Sequence, residues 1–437
     1  MSKYIIQGGA PLIGKVKLSG AKNAGFKQMI ASLMTDEVVN ISNTPSVRDV
    51  GVLKEIITDL GGQVKVGNSQ RVTLSGKGLR SFEIDPKYGS SARVSSMLVG
   101  PLLHRFKKAA FPRPGGDRIG DRPIDRHIDG LMAMGAKIEE VGEYFVVSAR
   151  KLKGTHYRFS KSTHTGTETL VMCAVLANGK TVLENAAAEP EVDDLIKLLN
   201  SMGAKVSRTK KRTIEIEGVS ELHGAEHTVM PDRNEAVTYG CMALGTKGDI
   251  FITDAREEDL KAFIQKVTEA NGGVEVKSNG VRFFTKGPLR ATYVETEIHP
   301  GFMTDWQSLW VTLMTQAEGT SEVIERVFEN RFAYVANLAA MGAQIELHNP
   351  KIKEPETFYE FNTLKKDPYL HAAKITGPSL LGPINAEVSD IRAGATLVLA
   401  ALIARGKTEL SNIEHIERGY ENLEYKLREL GAKIYKV

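Results

Sequence analysis

The sequence predicts an α/β protein built from six copies of one helix–strand repeat, grouped as two domains of three. Three observations carry this. A phrase made of an apolar residue or Asn, then Gly, then Gly or Ala, recurs six times: Leu60-Gly61-Gly62, Met134-Gly135-Ala136, Met202-Gly203-Ala204, Asn271-Gly272-Gly273, Met341-Gly342-Ala343 and Leu430-Gly431-Ala432. Each copy ends a stretch of helical periodicity, such as Val192-Asp193-Asp194-Leu195-Ile196-Lys197-Leu198-Leu199, and precedes a β-type run, so its Gly falls where a helix C-cap needs positive φ. Half a repeat earlier lies a more apolar helix that ends in a Gly turn and a strand, seen in Ala174 to Val182 and again in Leu399 to Thr408. The repeat therefore reads helix, strand, helix, strand, with a hairpin strand such as Arg212-Thr213-Ile214-Glu215-Ile216 after it.

Length alone suggests about three domains; the repeat overrides that prior and places a seam near Met230-Pro231-Asp232, the kind of position where ligand clefts form. Taken in chain order, the first repeat opens a helix with Ser19-Gly20-Ala21-Lys22-Asn23-Ala24-Gly25, setting one cation and one amide at a helix N-terminus, as a small phosphorylated ligand needs. The second carries the Gly-rich loop Pro114-Gly115-Gly116-Asp117-Arg118-Ile119-Gly120-Asp121-Arg122-Pro123-Ile124-Asp125, in which Asp117 is either a proton donor or the side chain of an Asx turn. The third and fourth place Cys173 and Cys241 in apolar helices, which reads as buried, reduced thiols. The fifth sets Thr304-Asp305 just before a helix, where capping competes with a catalytic role. The last interval is longer, so the sixth repeat is expected to carry an insertion within His348 to Pro383, rich in Lys, Pro and Glu and read as an exposed excursion.

Composition, 42% hydrophobic and 25% charged, is that of a soluble globular protein. A net charge of +4 is too mild to argue for nucleic acid, and the one dense basic run, Arg208 to Arg212, reads as a solvated hairpin tip. The longest apolar run, Ala395 to Ala404, is too short for a membrane span, and the N-terminus has no signal-type core, so a cytoplasmic location is expected. Single arginines at positions a repeat does not require, Arg93, Arg122, Arg331, Arg392 and Arg418, suggest a polyanionic ligand, since guanidinium forks suit phosphate and carboxylate.

These residues sit in motifs that resemble the UDP-N-acetylglucosamine 1-carboxyvinyltransferase family, from Gly8 to the C-terminus: Ser19 to Ala24, the Gly115 to Asp125 loop, Glu184-Asn185-Ala186-Ala187 with Glu189-Pro190-Glu191, Pro231-Asp232-Arg233, Thr304-Asp305-Trp306-Gln307, Val327 to Phe332, Asp390-Ile391-Arg392-Ala393 and His415 to Tyr420. The resemblance implies a two-domain, inverse α/β barrel-like enolpyruvyl transferase fold. Residues 22-230 would form the N-terminal domain; residues 1-21 and 231-437 would form the C-terminal one, with the active site between them. It implies transfer of the enolpyruvyl group of phosphoenolpyruvate to the C3 hydroxyl of UDP-N-acetylglucosamine, with phosphate released and no metal or organic cofactor, in peptidoglycan synthesis.

The resemblance also assigns roles. Asp305 would take the hydroxyl proton, and Asp117 would be the loop acid, either donating a proton to the substrate or mainly closing the loop and helping product leave. Lys22, Asn23, Arg122, Arg331, Arg392 and Arg418 would bind phosphoenolpyruvate, with Lys22, Asn23 and Arg418 at the reacting centre. Asn23, Arg93, Arg122, Pro123, Ile124, Asp125, Arg126, Asp305 and Val327 would hold the UDP-sugar, along with Lys161 or His164, where the spacing departs from the commonest members. Many members carry Cys where this chain has Asp117, which implies insensitivity to fosfomycin. The partners implied are the two small-molecule substrates, with no nucleic acid and no membrane; a monomer is expected and a homo-oligomer stays open. The alternatives are the shikimate-pathway enolpyruvyl transferase, which would show Ser-Lys-Ser where this chain has Ala21-Lys22-Asn23, and a non-catalytic UDP-sugar-binding regulator.

Overall fold

In the third repeat, the strand His156–Arg158 leads into the helix His164–Ala174, the strand Lys180–Glu184, the helix Pro190–Ser201 and a hairpin of Lys205–Lys210 with Thr213–Glu217. The four strands make one sheet, in which His156–Arg158 runs parallel to Lys180–Glu184 and the others pair antiparallel. Local chemistry explains the second helix. Pro190 stands in its first turn with Glu191 and Asp193, where a missing N–H costs nothing and negative charge meets the positive helix end. It ends as Gly203 turns to φ 98° and the Ala204 N–H donates back to Leu199 O at 3.0 Å.

The computed structural model describes residues 2–67, 70–89, 93–113, 119–120, 124–363 and 368–437. Its strands form six sheets among the described residues, three in each of two compact domains, and no closed barrel. One domain comprises Gly20–Gly116 and Pro123–Met230. The other comprises Met1–Ser19 and Pro231–Val437, joined by the stretch around Ile119 and Gly120. The boundary falls between Ser19 and Gly20, two residues before the one read from the sequence. The reason is hydrogen bonding: the Ala21 N–H donates to Met230 O at 2.7 Å, while the Asp232 N–H donates to Ser19 O at 2.9 Å.

In both domains the apolar helices lie inside and the sheets outside. Every residue of Arg233–Gly245 and of Gln307–Met314 is buried, as are the last nine of His164–Ala174. The strand Lys180–Glu184 instead alternates exposed and buried positions, as a sheet with one wet face does. Among the described residues no helix is long and apolar enough to cross a membrane.

Three sheets borrow a strand from far along the chain. Ile13–Lys17 pairs parallel with Asp249–Thr253 in the fourth repeat's sheet, and Ala225–Thr228 pairs parallel with Val39–Ser42 in the first's. Lys3–Gln7 lies between Lys407–Ser411 and Lys433–Lys436, where it serves as the sixth repeat's hairpin strand.

The structure amends the sequence expectations at three places. In the fourth repeat the left-handed residue is Asn271, at φ 65°, after the helix Glu257–Glu269, so the matching phrase is Ala270-Asn271-Gly272; Asn tolerates the conformation that Gly takes elsewhere. The extra residues belong to the fifth repeat, in the connection 349–371 between the hairpin strands Gln344–His348 and Ala372–Gly377. Most of the described residues of that connection are exposed, as expected of an excursion, but Tyr359, Phe361 and His371 are buried and tie it down, with ring centroids 4.6 Å apart for Tyr359–Phe361 and 4.9 Å for Phe361–His371. The basic run is exposed at Thr209, Lys210 and Lys211, as expected of a hairpin tip, but its last member is held: the Arg212 guanidinium donates to Ser162 Oγ at 3.0 Å and Ala186 O at 3.3 Å.

Candidate active site

In the C-terminal domain, Asp305 sits on a 3₁₀ turn, Thr304–Trp306, that leads into the helix Gln307–Met314. The turn is anchored from below. Trp306 is buried edge-on against Phe302 and Phe263, and its indole N–H donates to Asn234 Oδ1 at 2.9 Å. Neither Thr304 nor Asp305 caps the helix, the alternative left open by the sequence; both side chains point elsewhere.

Two arginines converge on Asp305. Arg331 Nη2 donates to Asp305 Oδ1 at 2.6 Å, and Arg392 Nη2 stands 3.6 Å from Oδ2, with the three side chains 7% (Arg331), 16% (Arg392) and 26% (Asp305) exposed. Burial pushes the Asp305 pKa up, but Arg392, Arg331 and, more weakly, Arg233 outweigh it and hold the carboxyl well below the usual carboxylate range. Arg392 occupies the second position of the helix Ile391–Ile403, whose first turn is capped by Asp390 Oδ1 at 2.9 Å from both the Arg392 and Ala393 N–H groups. Its other nitrogen donates to the Tyr420 hydroxyl at 3.1 Å, itself 2.8 Å from Thr238 Oγ1. Arg418, at the end of the short helix Glu414–Glu417, lies two residues before Tyr420 and is half-buried.

The N-terminal domain gathers a second group. Lys22 and Asn23 begin the helix Lys22–Ala31, and Lys22 Nζ pairs with the nearly buried Asp49 at 2.6 Å. The Asn23 carbonyl accepts from Lys27, which stands 3.0 Å from the buried Glu168; Glu168 in turn meets His164 Nε2 at 3.2 Å. Burial disfavours the His164 imidazolium, yet the Glu168 carboxylate more than offsets this and the net shift of its pKa is upward. His164 opens the helix His164–Ala174, capped by Thr163 Oγ1. Arg126, second in the helix Asp125–Ala133, donates to Ser162 O at 3.3 Å, which brings Ile124, Asp125 and Arg126 beside the segment holding Lys161 and His164.

Arg93 opens the 3₁₀ helix Arg93–Leu98. Asp117, Arg122 and Pro123 lie outside the described residues. Asp305, Arg331 and Arg392 thus meet in one domain, and Lys22, Asn23, Arg126, Lys161 and His164 belong to the other. Sequence reasoning missed Tyr420, Thr238, Glu325 and the pairing of Lys22 with Asp49, none of which stands out by spacing. Among the described residues no group of three or more His, Cys, Asp or Glu side chains is arranged to hold a metal ion.

Asp305 thus stands as a carboxylate between two guanidinium groups, on a fold of six helix–strand repeats. Residues 6–427 match the family model described as EPSP synthase (3-phosphoshikimate 1-carboxyvinyltransferase). Among solved structures, the enolpyruvyl transferase NikO from Streptomyces tendae aligns over 100% of this chain and 99% of its own, with a TM-score of 0.86 at 22% identity. EPSP synthase from Acinetobacter baumannii aligns over the whole of both chains, with a TM-score of 0.75 at 16% identity. These two establish the fold.

Curated relatives are much closer in sequence. The UDP-N-acetylglucosamine 1-carboxyvinyltransferase of Koribacter versatilis is 41% identical over 100% of this chain and 97% of its own, and that of Halothermothrix orenii is 40% identical over the full length of both. The chain belongs to the enolpyruvyl transferase family and, within it, to the UDP-N-acetylglucosamine 1-carboxyvinyltransferases.

Proposed function

We propose that this enzyme transfers the enolpyruvyl group of phosphoenolpyruvate to the C3 hydroxyl of UDP-N-acetylglucosamine, releasing phosphate, as the committing step of peptidoglycan synthesis in the cytoplasm. The observation that carries the reading is Asp305 held between Arg331 and Arg392 in a chain 40% identical, end to end, to enzymes of that name. The sugar hydroxyl adds to C2 of the enol phosphate; its proton leaves and another joins the CH2 carbon. The tetrahedral adduct then expels phosphate and loses a methyl proton, which restores the double bond.

Asp305 is the base for the hydroxyl. Pinned by two arginines it is a weak one, and the phosphate and carboxylate of phosphoenolpyruvate compete for the same guanidinium groups. Drawing Arg392 away, at 3.6 Å the looser partner, returns basicity to Asp305 as the second substrate binds. Lys22 and Arg418 stabilise charge on the departing phosphate, an electrostatic task suited to preset cations, and Arg122 and Asn23 complete the phosphoenolpyruvate set. Arg93, Arg126, Lys161 or His164, and Val327 bind the UDP-sugar. Asp117 is the loop acid. The reaction calls for no metal and no organic cofactor, and a monomer suffices for it.

The family model names 3-phosphoshikimate, so the discriminating experiment supplies the acceptors in turn. Phosphate release from phosphoenolpyruvate is expected with UDP-N-acetylglucosamine and not with shikimate 3-phosphate. The reverse result overturns the assignment of substrate, and release with neither overturns the assignment of activity.

A further inference from the structure

Glu325 is fully buried and carries no part in the mechanism above. One of its oxygens, Oε1, accepts three hydrogen bonds: from Thr304 Oγ1 at 2.9 Å, from the Val327 N–H at 2.9 Å and from the Phe328 N–H at 3.1 Å. A hydroxyl has one proton. Because Thr304 spends its proton on Glu325, its lone pairs face the other way, and there Arg331 Nε donates to Thr304 Oγ1 at 3.1 Å. The same edge of the Arg331 guanidinium donates through Nη2 to Asp305 Oδ1 at 2.6 Å. Its planar fork is therefore laid across two successive residues, Thr304 and Asp305. The flat side of the fork stands 5.4 Å from the Phe328 ring, whose own backbone N–H is tied to Glu325.

From this geometry we infer that Glu325 is a positioning residue for the reaction, acting through Thr304 and Phe328 to fix the Arg331 guanidinium in the plane that presents Asp305 to the substrate hydroxyl. The inference rests on the proposed role of Asp305. One carboxylate sets both the edge contact and the face contact of Arg331, so the orientation of the base is decided a residue away from the reacting atoms. The second Glu325 oxygen, Oε2, has no hydrogen-bond partner among the described residues. An amide in place of the carboxylate would set an N–H₂ group there with nothing described to receive it, and would remove the negative charge that faces Arg331. Arginine at 331 can hold this double contact because its donors are rigidly coplanar; lysine cannot.

Four variants test the relay: Glu325→Gln, Thr304→Val, Thr304→Ser and the double variant Glu325→Gln/Thr304→Val. Glu325→Gln and Thr304→Val are each expected to lower kcat roughly 10- to 100-fold, the scale of a small misplacement of a reacting group. Their KM for the UDP-sugar stays within a few fold, and the acid limb of the pH–kcat profile moves to higher pH as Arg331 loosens its hold on Asp305. Thr304→Ser keeps the hydroxyl and stays near wild type. The double variant loses no more than the worse single variant, as members of one chain of contacts do. A purely structural role would instead scale kcat with the folded fraction and leave the pH limb in place. Independently of turnover, hydrogen exchange at Arg331 Nε–H, read by nitrogen-15 NMR, should be slow in wild type and Thr304→Ser and fast in the other variants. Wild-type exchange and wild-type kcat in Glu325→Gln, or additive losses in the double variant, overturn the inference. Should the wild type fail to turn over its substrates, the proposed function falls while the exchange data still decide the relay.

Discussion

Replacing Asp305 by Asn changes one oxygen to an amide nitrogen and removes one negative charge from between Arg331 and Arg392. The structural cost can be bounded from the contacts. The 2.6 Å bond from Arg331 keeps its cationic donor but loses its ionised acceptor, so it forfeits part of the about 1.5–3 kcal/mol that a bond to a charged group is worth. The contact to Arg392 is longer and has no hydrogen-bond geometry to lose, but its charge attraction is the largest that holds the carboxylate, and the variant forfeits it. Stability is therefore expected to fall by roughly 1–3 kcal/mol, well within the margin of a folded protein. Turnover is expected to fall by at least ~10²-fold, the usual scale for losing a general base, with the UDP-sugar affinity held within a few fold. The two effects separate by measuring phosphate release at saturating substrates, calorimetric affinity for UDP-N-acetylglucosamine, and the melting temperature.

The pH dependence supplies a second check on the same residue. Because the arginines depress the Asp305 pKa in the folded state, its contribution to stability is full above the unfolded value of about 3.9 and is lost as pH falls toward the lower, folded value. The gap in melting temperature between wild type and Asp305→Asn should thus be constant near neutrality and narrow only in strong acid. Near wild-type turnover in the variant would remove Asp305 from the mechanism, and a gap that widens in acid would refute the depressed pKa.

Three further outcomes are expected. The wild type should resist time-dependent inactivation by fosfomycin, whereas Asp117→Cys should acquire it; Cys173 and Cys241 offer no substitute, since both are fully buried and burial pushes both thiols upward, that of Cys173 to about 12. Tyr420→Phe should cost about 1–2 kcal/mol in denaturant unfolding, through the lost bonds to Arg392 and Thr238, and raise the KM for phosphoenolpyruvate a few fold while kcat is largely retained. Asn271→Ala should lower stability by about 1 kcal/mol without touching activity, because alanine resists the left-handed backbone that Asn271 adopts; a more stable Asn271→Ala would show that the repeat phrase does not depend on that conformation.

The repeat is legible in the sequence because a helix that must reverse into a strand needs a residue at positive φ, and Gly declares that need at Gly61, Gly135, Gly203, Gly342 and Gly431. The same signal slips by one at Asn271, where a second residue type meets the requirement and the Gly that follows draws the eye instead. The insertion is legible only as a longer interval. Spacing measures the length between two phrases and says nothing about which strand the extra residues follow, so the insertion is located correctly within 348–383 but assigned to the sixth repeat instead of the fifth. At the site, the arginines stand out singly, but their convergence on Asp305 brings together chain positions far apart, which no local pattern encodes. Glu325 is hidden for a different reason: buried carboxylates that serve backbone N–H groups look in sequence like any other Glu beside a strand.

The borrowed strands determine the order in which the protein can be completed during synthesis. As the chain leaves the ribosome, Val39–Ser42 waits for its parallel neighbour until Ala225–Thr228 has emerged, while Lys3–Gln7 and Ile13–Lys17, the first strands made, find no partners until the fourth and sixth repeats are translated. Open sheet edges held for that long invite pairing with the wrong chain, which gives nascent copies a reason to be shielded. The same threading rules out a simple division of the gene. A cut after Met230 leaves an N-terminal fragment carrying two surplus strands and a C-terminal fragment missing an edge from one sheet and an inner strand from another. Two separately expressed halves would have to be 20–230 on one side and, on the other, 231–437 with residues 1–19 attached behind Val437, where the hydrogen bond from the Lys3 N–H to Val437 O at 2.8 Å already holds the two ends together.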